Sequence, residues 1–158
     1  MTTNQMIKAS IHDHFIQFLQ QKEQYEARMA GDFLEELHKM IGTESTLNMT
    51  ELHTIACIGD QEPINVTSIA DKMNLSKGNT SKITHKLLKA GWVRKTQLND
   101  NKKEVYFRLT TAGKRLFAIH EELHNKEMQR MEQFLNKYSE TELEFIKRLF
   151  GDLTDLYR

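Results

Sequence analysis

Cysteine is the scarcest residue that bears on function: Cys57 stands alone, which excludes an internal disulfide and any zinc finger built on cysteine clusters. It sits between Ala56 and Ile58 with no cation beside it in sequence to favour the thiolate, so it reads as a structural thiol rather than a redox sensor. Apolar runs stop at four residues, at Ile55 to Ile58 and Leu116 to Ile119. No segment is therefore long enough for a membrane span or a signal-peptide core, and the chain is expected in the cytoplasm. One proline and seven glycines leave little to break helices, and 39% hydrophobic with 28% charged residues is the composition of an ordered, mainly helical folding unit spanning residues 1–158.

A net charge is also lacking, since 22 basic residues balance 22 acidic ones. The balance is local, however. From Lys72 to Arg115 there are 12 Lys and Arg against two acids, Asp100 and Glu104, whereas the remainder has 10 basic and 20 acidic residues. Segregation of this kind within one folding unit implies a polyanion-binding surface.

Apolar positions at Ile7, Ile11, Phe15, Phe18 and Leu19, and again at Phe33, Leu34, Leu37, Met40 and Ile41, have helical spacing. They predict a long N-terminal helix over about 5–42 that bends or breaks near Gly31 and ends at Gly42 and the following Thr-Glu-Ser-Thr. A second helix, capped by Asn48 or Thr50, carries Leu52, Ile55, Ala56 and Ile58 and stops at Gly59. A short helix with Ile69, Ala70 and Met73 follows, capped by Asn65 or Thr67. After the turn Asn74-Leu75-Ser76, Ser76 caps a helix running to about Ala90, with Ile83, Leu87 and Leu88 on one face and Gly91 as its stop. Trp92 to Leu98 and Glu104 to Leu109 predict a hairpin across the polar turn Asn99 to Lys103. Thr110 or Thr111 caps a long helix to about Lys137. Ser139-Glu140-Thr141-Glu142 is a capping box for the last helix, striped by Leu143, Ile146, Leu149, Phe150, Leu153 and Leu156. The helices over about 5–42 and 111–157 carry more apolar surface than one small core uses, which points to pairing in a dimer.

Two helices, a tight turn and a hairpin describe a winged helix-turn-helix, here a reading head over about 48–113. The helix after Ser76 would enter a major groove of double-stranded DNA N-terminus first. Gly78 and Ser81 permit close approach, Asn79 can make a two-bond contact to adenine, and Lys77 and Lys82 can reach guanine or phosphate. His85, Lys86 and Lys89 face phosphate or solvent. The hairpin tip presents Lys102 and Lys103 where a flanking minor groove would lie.

The series Ile69-Ala70, Leu75-Ser76, Ser81-Lys82-Ile83, Leu87, Gly91-Trp92-Val93 and Leu109-Thr110-Thr111-Ala112-Gly113 resembles the MarR family of regulators, and the outer helices match that family in order and length. The resemblance implies a homodimer whose terminal helices pair and whose two wings straddle a pseudo-palindromic operator, with half-sites about 10 bp apart. It implies a transcriptional regulator, a repressor first, and not an enzyme. The wing departs from the family's usual Asp-x-Arg. Asn101 and Lys103 stand at those positions, and lysine lacks the planar fork that suits a minor groove.

His120-Glu121-Glu122-Leu123-His124 satisfies His-Glu-x-x-His, with two imidazoles about 6 Å apart along one helix face. One reading is a zinc metallopeptidase with Glu121 as base, but no catalytic domain surrounds the motif. A second follows from similarity to the zinc-responsive branch of MarR-type repressors. Ungapped counting places His120, His124 and His53 at that branch's histidine positions and Glu35 at its carboxylate position, with His38 or Glu36 as substitutes if the helix phase differs. That branch's second site is not expected, because Ile41, Leu52 and Ile119 replace its ligands. In the third reading His53, His120 and His124 are ordinary polar residues on helix faces and the i, i+4 pair is chance. The rival to a metal effector is release from DNA by a small organic or phenolic ligand in the cleft between arms and head, as the family resemblance implies.

Overall fold

The protein is described by a computed structural model covering residues 2–42, 46–98 and 101–158, with Ile41, Asn101 and Lys102 described by backbone alone. In chain order the elements are α1 (Thr3–Ile41), α2 (Met49–Gln61), β1 (Ile64–Asn65), α3 (Val66–Met73), α4 (Lys77–Lys89), β2 (Val93–Leu98), β3 (Asn101–Leu109), α5 (Thr111–Leu135) and α6 (Glu140–Leu156).

Local chemistry accounts for most of the boundaries. Asn48 caps α2 with its side-chain oxygen on the Glu51 amide while the Glu51 carboxylate returns to the Asn48 amide, a reciprocal capping box. Asn65, Ser76, Thr110 and Ser139 each accept from the amide three residues on and so start α3, α4, α5 and α6. Asn74 ends α3 in the left-handed conformation at φ 52°, where its short polar side chain is tolerated, and the Leu75 amide returns to the Ala70 carbonyl.

Three differences from the sequence-based expectation have physical causes. Helix α1 runs unbroken for 39 residues through Gly31, because one glycine costs about 1 kcal/mol and removes no backbone hydrogen bond. Helix α2 passes Gly59 to end at Gln61. A third strand, β1, joins the hairpin, giving the antiparallel order β1-β3-β2 with Ile64 opposite Phe107 and Val93 opposite Leu109. Two residues offer no alternation by which to find such a strand. Of the turn expected over Asn99 to Lys103, Asn101 to Lys103 instead begin β3, with Asn101 opposite Leu98 in the ladder; Asn99 and Asp100 lie outside the described residues, as do Thr43 to Ser45.

The core unites both arms of the sequence with the head. Leu37 of α1, Leu52, Ile55 and Ile58 of α2, Ile69 of α3, Leu87 of α4 and Leu116 of α5 are fully buried together. Beyond this head the long helices meet where Tyr25 of α1 donates to Glu127 of α5 at 3.1 Å, but most of their apolar surface is uncovered. No residue of α6 is buried, and Ile7, Ile11, Phe18 and Leu19 of α1, Met128 and Phe134 of α5, and Phe145 and Phe150 of α6 remain exposed. Among the described residues no helix is long and apolar enough to cross a membrane.

Candidate nucleic-acid interface and histidine cluster

Helix α4 is split into two faces. Ser76 holds the helix start: its hydroxyl accepts from the Asn79 amide at 3.1 Å and its carbonyl takes both the amide and the hydroxyl of Thr80 at 2.9 Å. Thr80, Ile83, Thr84 and Leu87 point inward, and the two threonine hydroxyls are satisfied on carbonyls four residues back. Lys77, Gly78, Asn79, Ser81, Lys82, His85 and Lys86 are all exposed, so every residue proposed from sequence on this helix lies on its solvent side.

Gly78 differs from Gly59 and Gly113 in what surrounds it. A Cβ at Gly78 would meet nothing within 4 Å, whereas at Gly59 it would strike the Phe117 ring and at Gly113 the Trp92 carbonyl. The fold requires Gly59 and Gly113 to lack side chains. It makes no such demand at Gly78.

The wing adds Arg94 and Lys95, both exposed on β2, and Lys103, exposed on β3; the Lys102 side chain lies outside the described residues. Arg94 stands directly opposite Arg108 across the ladder, a like-charge pair that is unfavourable without an anion nearby. Both arginines fall within the basic segment of the sequence, where nothing local pairs them. Strand register, which pairs them, was the missing information.

At the contact of α2 with α5 three imidazoles meet. The ring of His120 lies 5.3 Å from that of His53 and 4.4 Å from that of His124, centroid to centroid, edge to face in both cases. His120 is 6% exposed and its Nδ1 is enclosed without a hydrogen-bond partner. Burial pushes the His120 pKa down to about 4, helped by His124 and His53 and opposed by Asp60. Burial, then His124, also lowers that of His53. Both rings are therefore held neutral at neutral pH, the form in which imidazole binds metals.

Glu35 is not brought to this cluster. It is exposed, and its carboxylate accepts from Lys39 Nζ at 2.8 Å, an interaction that lowers its pKa. The reason is helical phase: with Phe33 and Leu37 buried, a residue two positions before Leu37 lies about 200° around the helix, on the far side. His38 is half-buried instead, with Nε2 enclosed and unpartnered. Glu36 lines a groove between α1 and α5 together with Phe33, Leu37, Met40, Ile119 and Leu123. Among the described residues no three His, Cys, Asp or Glu converge on one point as a bound metal would require.

The MarR family model matches residues 47–105, from α2 through the wing. Over 149 residues the chain is 47% identical to the HTH-type transcriptional regulator YhjH of Bacillus subtilis strain 168, covering 92% of this chain and 85% of that protein. It is 42% identical to PchR, another HTH-type transcriptional regulator of the same organism, with 94% and 88% covered. The chain belongs to the MarR family. Its fold is that of the zinc-responsive MarR family member ZitR of Lactococcus lactis, with TM-score 0.64 at 19% identity over 84% of this chain and 99% of that one. It is also that of Streptococcus pneumoniae FabT in complex with DNA, with TM-score 0.62 at 17% identity over 88% and 96%.

As a MarR-family member this protein is a DNA-binding helix-turn-helix transcriptional regulator and not an enzyme, so the metallopeptidase reading of His120 to His124 falls. One further residue of this MarR-family chain takes a place that sequence did not suggest. Lys86 does not reach freely into solvent: its Nζ donates to Glu51 Oε1 at 2.7 Å and to the Thr46 carbonyl at 2.9 Å. Cys57, by contrast, is half-buried, and burial raises its thiol pKa, with Lys72 acting the other way, in keeping with the structural thiol expected from sequence.

Proposed function

We propose that this MarR-family regulator is a homodimeric repressor in the cytoplasm. In this reading α4 enters the major groove of a pseudo-palindromic operator, and a divalent metal, zinc first, tightens binding through His53, His120 and His124. The observation that carries the metal reading is the enclosed, unpartnered Nδ1 of His120 between two other imidazoles. A buried polar atom left without a partner is costly, and a metal would satisfy it. Neutral imidazoles suit zinc, which would bridge α2 and α5 there and leave a further position for water or another side chain. The rings now pack edge to face, so binding requires the exposed His53 and His124 to turn about their side-chain torsions while His120 stays in place.

The DNA reading rests on the exposed N-terminal face of α4, where Lys77, Gly78, Asn79, Ser81 and Lys82 are presented while Thr80 and Ile83 hold the helix to the core. His85 adds a polar group further along, and Lys102 and Lys103 lie on the wing strand β3. Dimerisation is supported by the bare apolar faces of α1, α5 and α6, which a second copy would cover. Repression follows because a dimer seated on the operator excludes other proteins from the same grooves.

The test is anisotropy of a labelled duplex, selected from a random library by this protein, with and without zinc, alongside metal analysis of the protein. One metal per subunit and DNA binding tighter by roughly 5- to 150-fold are expected. His120→Ala should lose the response while keeping basal binding, and equal affinity with and without metal removes the reading. A second reading, release by a small organic ligand, is favoured by the groove of about 240 Å³ between α1 and α5, where Glu36, Glu122 and Lys126 join the apolar lining. It predicts the opposite sign, weaker DNA binding when the effector is added.

A further inference from the structure

Lys86 sits in the last turn of α4, at the end away from the residues that face the groove. Its ammonium joins three points at once. It is anchored on α4, donates to the Thr46 carbonyl in the segment ahead of α2, and donates to Glu51 Oε1 in the first turn of α2. The Glu51 side chain is 7% exposed against 46% for Lys86, and its other oxygen accepts from the Asn48 amide at 3.0 Å. One buried carboxylate therefore caps α2 with one oxygen and holds α4 with the other.

From this geometry we infer that Lys86 is a positioning residue, which sets the angle of the reading helix through Glu51 rather than contacting DNA. The apolar contacts of Ile83 and Leu87 fix how deep α4 sits, but hydrophobic contact has no direction and sets the helix angle less closely. Charge-assisted hydrogen bonds do have direction. Lys77 and Lys86 are nine residues apart, about 13 Å along the helix, so a tilt of about 5° displaces one end by about 1 Å relative to the other. That exceeds the roughly 0.5 Å tolerance of a working polar constellation. A lysine whose charge is already matched by a carboxylate also releases few counterions on binding DNA.

The inference rests on α4 being the reading helix, and the experiment separates the two. Affinity for the library-selected duplex is measured by anisotropy across a salt series for wild type, Lys86→Met, Glu51→Gln and the double variant, with Lys82→Met and Asn79→Ala as reporters of direct contact. Thermal unfolding is followed in parallel. The double variant leaves no charge buried without a partner, so it stays measurable if either single variant unfolds. Expected is a loss of about fivefold or more in Lys86→Met and in Glu51→Gln, no further loss in the double variant, and an unchanged salt slope. A Lys86→Met slope shallower by about one, with Glu51→Gln at wild-type affinity, makes Lys86 a phosphate contact and overturns the inference. Wild-type affinity in both single variants and in the double overturns it as well. Wild-type affinity in Lys82→Met and Asn79→Ala removes the reading-helix assignment itself, and the inference with it.

Discussion

Gly78→Ala should stabilise the protein and weaken its grip on DNA, two effects that rarely coincide unless a position serves function at the expense of the fold. The new Cβ would meet nothing within 4 Å, so no packing penalty opposes it. Glycine is unfavourable in the middle of a helix by about 0.5–1 kcal/mol relative to alanine, which is the upper bound for Gly78 as the second residue of α4. The gain corresponds to roughly 1–4 °C in Tm for a chain of this size. If the helix lies against a groove at Gly78, the methyl group must instead be accommodated between two close surfaces. Overpacking of this kind costs about 1–3 kcal/mol, or roughly 5- to 140-fold in Kd. Calorimetry of the free protein and anisotropy on the library-selected duplex read the two effects separately. Gly31→Ala is the control, since its Cβ also meets nothing within 4 Å but lies far along α1; it should raise Tm and leave Kd alone. A Gly78→Ala protein that is more stable and binds DNA as wild type does would refute the close approach.

Gly113→Ala is expected to do the reverse to stability, because its Cβ would overlap the Trp92 carbonyl that accepts from the Thr110 amide and hydroxyl. A loss of about 1–3 kcal/mol should appear as a lower urea midpoint, and an unchanged midpoint would contradict that packing. Ser139→Ala removes the hydroxyl side of the α6 capping box and should cost about 1 kcal/mol in thermal or urea unfolding; no loss would mean that α6 is held by something other than its cap. In metal-free protein the His120 pKa of about 4 lies below the ordinary 6.5, so the unfolded chain takes the proton first. The stability tied to neutral His120 is whole above pH 6.5 and is lost as pH falls towards about 4, by up to about 3 kcal/mol. His120→Leu should flatten that part of the urea-stability profile, and an equal slope in the variant would assign the loss to other groups.

The helix-turn-helix was legible from residues because its signals are local. Ser76 and Ser139 are read as caps from the next three or four positions and are used as such, and of the pairs Asn48 or Thr50 and Asn65 or Thr67 the structure uses the asparagines. The exposed face of α4 follows from helical spacing alone, as does the shared face of His120 and His124. Thr80 and Thr84 were less legible, since a threonine's place on the buried face shows only when its hydroxyl is seen to close on a carbonyl within the helix.

By itself, then, the sequence determined the order of the helices and the hairpin, the basic segment between acidic ones, and which side chains share the exposed face of α4. Tertiary structure decided which charges are engaged elsewhere. Lys86 meets Glu51 across 35 residues of chain, Glu35 turns to Lys39 once Phe33 and Leu37 set the phase of α1, and His53 meets His120 only where α2 packs on α5. Caps and stripes are written within one or two turns, where helix geometry fixes who meets whom. The partner of a long charged side chain depends on how the helices pack, and no local pattern encodes that.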